Sequence, residues 1–188
     1  ALEEMGLEYQ VFPINILEND QFQPDFLRIS PNNKIPAIVD QDGPKGEAIS
    51  VFESGAILQY LGRKTGQFYP SDEQSRVEVE QWLMWQMGGF GPMLGQNHHF
   101  SKFAPERIAY ATERYVNETK RLYGVLDKQL FGQNYVAGEY SIADMAIFPW
   151  ILRYEWQQID INDYPNVKAY MERIQARPAV QRALAVKV

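Results

Sequence analysis

The chain has 188 residues, 45% hydrophobic and 22% charged, with a formal net charge of -6. That is the composition of a folded globular protein with room for one large core or two modest ones, not of a disordered chain. The acidic balance without a basic run argues against nucleic-acid binding, no apolar stretch approaches a membrane span, and the lack of cysteine removes disulfides, thiolate metal sites and protein-thiol catalysis.

Ala1 to Leu7 reads as the last turns of a helix stopped at Gly6. No N-cap and no initiating Met precede it, so the natural chain is expected to begin earlier. Glu8 to Ile14 alternates like a strand. Pro24 to Ile29 suits a short helix ended before Pro31. Lys34 to Val39 and Ala48 to Phe52 are short β-like runs around a loop of Asp, Gly and Pro, which predicts an antiparallel hairpin. Ser54 to Lys64 has Ile57, Leu58 and Leu61 on one helical face.

After Gly66-Gln67-Phe68-Tyr69-Pro70 no strand pattern remains. Helices are expected from Ser71 to about Met87, with a bend or break at Gly88-Gly89-Phe90-Gly91-Pro92. Further helices are expected over Pro105 to Leu130, Ser141 to Arg153, Tyr164 to Ala176 and Pro178 to Val186. The organisation is an α/β domain over residues 1–65, a linker at 66–71 and an all-helical domain over 72–188.

Two motifs carry chemistry. Ile35-Pro36 opens a strand, where a proline marks a bend or an edge. A cis bond there presents the Ile35 backbone to an extended peptide, which adds like another strand. Glu53-Ser54 stands at the mouth of a helix. Ser54 reads as the N-cap, and it and the free amides behind it suit a carboxylate, while Glu53 suits an ammonium. Taken singly, each motif also fits a turn proline or a plain helix cap. Together they suit a small zwitterionic peptide.

Elsewhere, His98-His99 invites a metal reading, but adjacent helical side chains diverge and no other histidine or cysteine exists, so no metal site is expected. Asn97 and His98 are expected to wall the pocket of a second substrate. Ser141-Ile142-Ala143-Asp144 has the form of a capping box and reads as structural. Trp82, Trp85, Phe90 and Met93 read mainly as core.

Ile35-Pro36-Ala37, Glu53-Ser54-Gly55-Ala56-Ile57 and the Ser141–Asp144 box occur together, in order, as in the glutathione transferases. The string from Phe26 to Pro36, the string from Gly91 to Phe100, and Glu113-Arg114-Tyr115 resemble the Nu class of that superfamily, bacterial enzymes related to the yeast prion nitrogen regulator. The resemblance implies a thioredoxin-like N-terminal domain, its first strand absent from this chain, followed by an all-α C-terminal domain. It further implies a cytoplasmic homodimer with glutathione, reduced or oxidised, as cofactor. The activity it implies is glutathione-dependent reduction of a small disulfide, with weak peroxidase activity. Conjugation of an electrophile and non-catalytic glutathione binding stay open as alternatives. By the same resemblance, Ile35 and Pro36 meet the cysteinyl part of glutathione, Glu53 and Ser54 hold its γ-glutamyl end, and Gln21 and Arg114 also contact it. The residues that touch the sulfur in the Nu class, Thr and Asn in the first strand and the loop after it, have no counterpart in this sequence. The catalytic groups are therefore unknown and expected in a preceding segment.

Overall fold

Gly6 ends the first turn as its freedom at positive φ allows. In the computed structural model, which describes residues 1–186, Gly6 has φ 65°. The Leu7 N–H donates to Leu2 O at 3.0 Å and the Gly6 N–H to Glu3 O at 3.3 Å, the paired bonds that close a helix C-terminus. Lys187 and Val188, the end of the expected helical domain, lie outside the described residues.

Glu8 to Ile14, expected as a strand, forms none. Alternation gives a segment one apolar face, but a strand also needs a neighbour for its backbone groups. Among the described residues none pairs with it, and Phe12 is left 73% exposed.

Helix α1 (Pro24–Ile29) starts on Pro24 and buries Phe26. Strands β1 (Ala37–Asp40) and β2 (Ile49–Phe52) form the expected antiparallel hairpin, in register from Ala37 opposite Phe52 to Asp40 opposite Ile49. Helix α2 (Ser54–Thr65) follows at once and ends on Gly66 at φ 69°. The Asp40 carboxylate accepts from the Tyr60 hydroxyl and the Lys64 ammonium, each at 2.5 Å, and so ties the hairpin to α2.

The remainder is helical: α3 (Glu73–Trp85), α4 (Gly91–His98), α5 (Ala109–Gln129), α6 (Ile142–Ile151), α7 (Pro165–Gln175) and α8 (Pro178–Ala185). The interruption expected at Gly88–Pro92 is neither a sharp bend nor a break. A π turn over Gln86–Phe90 joins α3 to α4, with the Gly91 N–H reaching back to Gln86 O. Pro92 lies in the first turn of α4, where its missing N–H costs little. Gly91 is closely packed, since a Cβ there would lie 2.6 Å from Gln86 Nε2 and 3.1 Å from Trp150 Nε1 and those side chains would have to shift. Helix α5 starts four residues later than its periodicity predicts, because a second π turn over His99–Phe103 precedes it and Ile108 is 44% exposed.

The core runs between α3, α4, α5 and α6, where Leu83, Leu94, Leu122, Leu126 and Ile147 are fully buried. The capping box is formed: the Ala143 N–H donates to Ser141 Oγ at 3.3 Å, and the Ser141 N–H donates to Asp144 Oδ2 at 2.8 Å. Ser141→Ala is expected to cost about 1 kcal/mol of stability, read as a lower denaturation midpoint with an unchanged slope. The Ile142 N–H also donates to Phe68 O at 2.9 Å, so the start of α6 is fastened to the segment after α2. Arg177, just before α8, clasps both carboxylate oxygens of Glu4 at 2.7 and 2.8 Å and lies 3.8 Å over the Tyr140 ring. These bonds hold the α/β part against the helical part.

Candidate functional site

The hairpin register brings the two sequence motifs to one corner. Ala37 pairs with Phe52, so Pro36 and Glu53 each lie one residue beyond the ladder, at the same end. The Ile35–Pro36 peptide is cis and Ile35 is 55% exposed. The loop before it is pinned from inside. Ser30 is fully buried, its Oγ donates to Lys34 O at 2.7 Å, and its carbonyl accepts from Asn33 N–H at 2.9 Å. Ser30 was not singled out by its sequence, since serine before proline is common in turns, and its burial comes only with the fold. Lys34 is exposed.

Glu53 has φ 68° and ψ 115°. A non-glycine residue held there is strained, by roughly 1–3 kcal/mol. Glu53 takes the N-cap position, which corrects the expectation for Ser54. Ser54 is the first helical residue, and no side chain caps α2. The reason is geometric: the chain turns sharply out of β2 at Glu53, so the helical conformation begins one residue later than the serine suggests. The first intrahelical bond is Ile57 N–H to Glu53 O, leaving the amides of Ser54, Gly55 and Ala56 without helical partners. Among the described residues the Glu53 carboxylate has no ion pair.

Met87, in the π turn, reaches this corner. The Ser54 hydroxyl donates to Met87 Sδ at 3.6 Å. Gly55 makes room for the same side chain, since a Cβ there would lie 3.1 Å from Met87 Cγ. The two residues after Met87, Gly88 and Gly89, line a cavity of about 860 Å3 with Met93, Tyr110, Arg114 and Arg121. Arg121 is engaged by Glu118 through two bonds of 2.8 and 2.7 Å, and that bonding holds the Glu118 carboxyl below its ordinary pKa. Arg114 has no ion pair among the described residues. A cation is therefore offered to the cavity while its neighbour is spoken for. Met87 carries no motif of its own, and only the close approach at Gly55 exposes its position.

Gln21 lies in a single 3-10 turn, Asp20–Phe22, after Asn19 at φ 66°. Its amide donates to Ile16 O at 3.4 Å, while its Oε1 is buried without a hydrogen-bond partner. A buried oxygen left without a donor is costly. The exposed Ile35 end, the Glu53 carboxylate and the free amides of α2 share one corner, while Gln21 lies in the 3-10 turn before α1 and Arg114 on α5.

Asn97 and His98 do not form the expected wall of this cavity. Asn97 is fully buried: its Nδ2 donates to Thr119 Oγ1 and Gln157 O, both at 2.9 Å, and its Oδ1 accepts from Ser101 Oγ at 2.7 Å. Its side chain turns inward because helix α4 is buried along that face. His98 packs against Trp150 and Trp156. Gln157 Nε2 donates to Trp150 O at 2.8 Å and stands 3.0 Å from His98 Nε2. This assigns the ring nitrogen as acceptor and the proton to Nδ1.

Burial, with Arg153 and then Lys102 nearby, pushes the His98 pKa below 6.5. The folded state thus resists a proton that the unfolded chain accepts. His98 contributes stability in full above pH 6.5, and that contribution is lost as pH falls below it. His98→Gln keeps an acceptor that cannot titrate. Between pH 8 and pH 5 the wild type is expected to lose more stability than this variant in urea titrations, whereas equal losses would reject the assignment. Among the described residues no cluster of three metal-ligating side chains occurs.

Residues 1–63 match the family model described as glutathione S-transferase, N-terminal domain, and residues 90–178 match glutathione S-transferase, C-terminal domain. The chain is 54% identical to the disulfide-bond oxidoreductase YfcG of Escherichia coli K12, over 97% of this chain and 86% of that protein. It superposes with TM-score 0.92, at 47% identity, on a glutathione transferase of Burkholderia graminis solved with two glutathione molecules per subunit, covering 97% of this chain and 80% of that one. A Pseudomonas putida glutathione transferase with one glutathione disulfide per subunit gives TM-score 0.95 at 45% identity, covering all of this chain and 84% of that one.

Proposed function

The chain belongs to the glutathione S-transferase superfamily, with a thioredoxin-like N-terminal domain and a helical C-terminal domain, and from that premise we propose that it is a glutathione-dependent disulfide-bond reductase of the Nu class. The observation that carries the site is Glu53, strained at φ 68° and without an ion pair among the described residues, one residue beyond the ladder on the same side as the cis Ile35–Pro36 peptide.

Glutathione supplies the reducing sulfur: two of its thiols give up two electrons and two protons as one substrate disulfide becomes two thiols. The sequence contains no cysteine, so the residues of this chain bind and orient. The Ile35 backbone pairs with the cysteinyl unit beside Pro36 and fixes the direction of its side chain. Glu53 accepts from the γ-glutamyl ammonium. The Ser54 hydroxyl and the first amides of α2 hold the carboxylate on the same carbon, with the helix dipole favouring the anion. Arg114 offers a second carboxylate a charge-assisted bond, and Gln21 is taken as a further contact.

The substrate is a small disulfide. Weak peroxidase activity fits the same thiol. A homodimer is the assembly that the family resemblance implies. A cytoplasmic location suits a reaction that consumes reduced glutathione.

The test is turnover of a small disulfide at the expense of glutathione, run beside conjugation of a chlorinated aromatic electrophile. Disulfide reduction well above the uncatalysed rate is expected. Conjugation alone would replace the reading with ordinary transferase chemistry. Glutathione binding with neither activity would leave a binding protein.

A further inference from the structure

Ser54 has an unexpected partner for a carboxylate-binding serine. It does not cap its own helix, and its hydroxyl donates to a thioether 33 residues away, Met87 Sδ, at 3.6 Å. Thioether sulfur is a weak acceptor. The contact is also built: Met87 lies along α2 where Gly55 leaves room for it, and it sits in the π turn that carries Gly88 and Gly89 into the cavity lined by Arg114. A π turn inserts one residue into a helix and redirects the side chains around it, and such turns gather at functional sites.

We propose that Met87 is a positioning residue that parks the Ser54 hydroxyl on a weak acceptor and releases it to the γ-glutamyl carboxylate of glutathione. The inference rests on the glutathione site proposed above. A hydroxyl has one proton to donate. In the free protein that proton points at sulfur, which keeps the rotamer defined. When a carboxylate arrives, it outcompetes the sulfur because an ionised acceptor forms a bond roughly twice as strong as a neutral one. The sulfur is then left with little loss, since it never required a donor. A stronger acceptor at position 87 would hold the proton back. An apolar group of the same shape would not compete for it.

This gives two substitutions with opposite signs. Met87→Gln places an amide oxygen beside Ser54 and is expected to weaken reduced-glutathione binding about threefold to tenfold. Met87→Leu removes the competing acceptor and is expected to tighten binding about twofold. A purely structural role for Met87 would move both variants in the same direction. Two controls isolate Ser54 and the carboxylate. In a Ser54→Ala background the two variants should bind alike. For γ-aminobutyryl-cysteinyl-glycine, an analogue that keeps the amine and lacks only the carboxylate at that end, they should also bind alike in the original background. The experiment is titration calorimetry on the full chain, with circular dichroism at each variant to verify folding. Opposite shifts that vanish under both controls support the proposal. Shifts of the same sign, or shifts that survive Ser54→Ala, overturn it. No binding of glutathione by the wild type would overturn the functional reading itself, and the role of Met87 with it.

Discussion

Glu53→Ala is expected to weaken glutathione binding by about 10- to 100-fold, the equivalent of ~1.5–3 kcal/mol for a lost bond to a charged group. The side chain has no ion pair among the described residues that would compete for it, so little else should change. Its backbone makes the test sharper. Glu53 is held at φ 68°, where glycine is at ease and glutamate is not. Glu53→Gly therefore loses the carboxylate and relieves the strain in one step. Binding should fall as far as in the alanine variant, while stability should rise by roughly 1 kcal/mol relative to it. Calorimetry with reduced glutathione and urea denaturation of both variants supply the two numbers. Undiminished binding in either variant would remove Glu53 from the site. Weakened binding with no gain in stability for glycine over alanine would keep the carboxylate role and reject the strain.

The corner around Glu53 also illustrates what a sequence can carry. Ile35-Pro36 and Glu53-Ser54 are 17 residues apart, and a hairpin between them was predictable from the Asp, Gly and Pro residues of its turn. An antiparallel hairpin brings the two motifs to the same end, while the register itself comes with the fold. Finer detail did not follow. Serine is a strong N-cap signal, yet the cap is Glu53, because the exit angle of β2 decides where helical dihedrals start. Asn97 looked available because it is polar. Its three hydrogen bonds are made inside the fold, with Thr119, Gln157 and Ser101, and only the packing of α4 against α5 reveals them. The strand expected over Glu8 to Ile14 failed for a different reason. Its alternation is genuine, but a ladder is a property of two segments. The glycines after Met87 advertised a break, whereas the chain absorbs them in a π turn that keeps the helix continuous.

Asp144→Ala should produce the largest loss of stability of any substitution considered, about 3–5 kcal/mol, the range for breaking a buried charged network by removing one member. Asp144 is fully buried. Its Oδ1 accepts from Val136 N–H at 2.9 Å and the Tyr170 hydroxyl at 3.0 Å, and its Oδ2 accepts from Ser141 N–H at 2.8 Å and Ser141 Oγ at 3.1 Å. One carboxylate thus joins the loop before α6, the N-terminus of α6 and the middle of α7. Alanine strands at least two backbone N–H groups in the interior. Asparagine is no remedy, because its amide would turn an N–H toward donors. It should cost nearly as much, and near-wild-type stability of Asp144→Asn would show that charge and acceptor count are unimportant here. Burial raises the Asp144 pKa from 3.8 to about 6, against the lowering effect of these bonds. The folded chain therefore holds a proton that the unfolded chain has released. Between pH 3.8 and about 6 this group's contribution falls as pH rises, and above that window it is constant. Subtracting the Asp144→Asn stability from the wild-type value at each pH isolates that slope. A difference rising with pH across this window would place the carboxyl's folded pKa below its unfolded value and make the hydrogen bonds, not burial, the dominant influence. Because Ile142 also meets the segment after α2, a loss confined to α6 is not expected. Both parts of the molecule should unfold together at the lowered midpoint, and two separate transitions would show that the box stabilises the helical part alone.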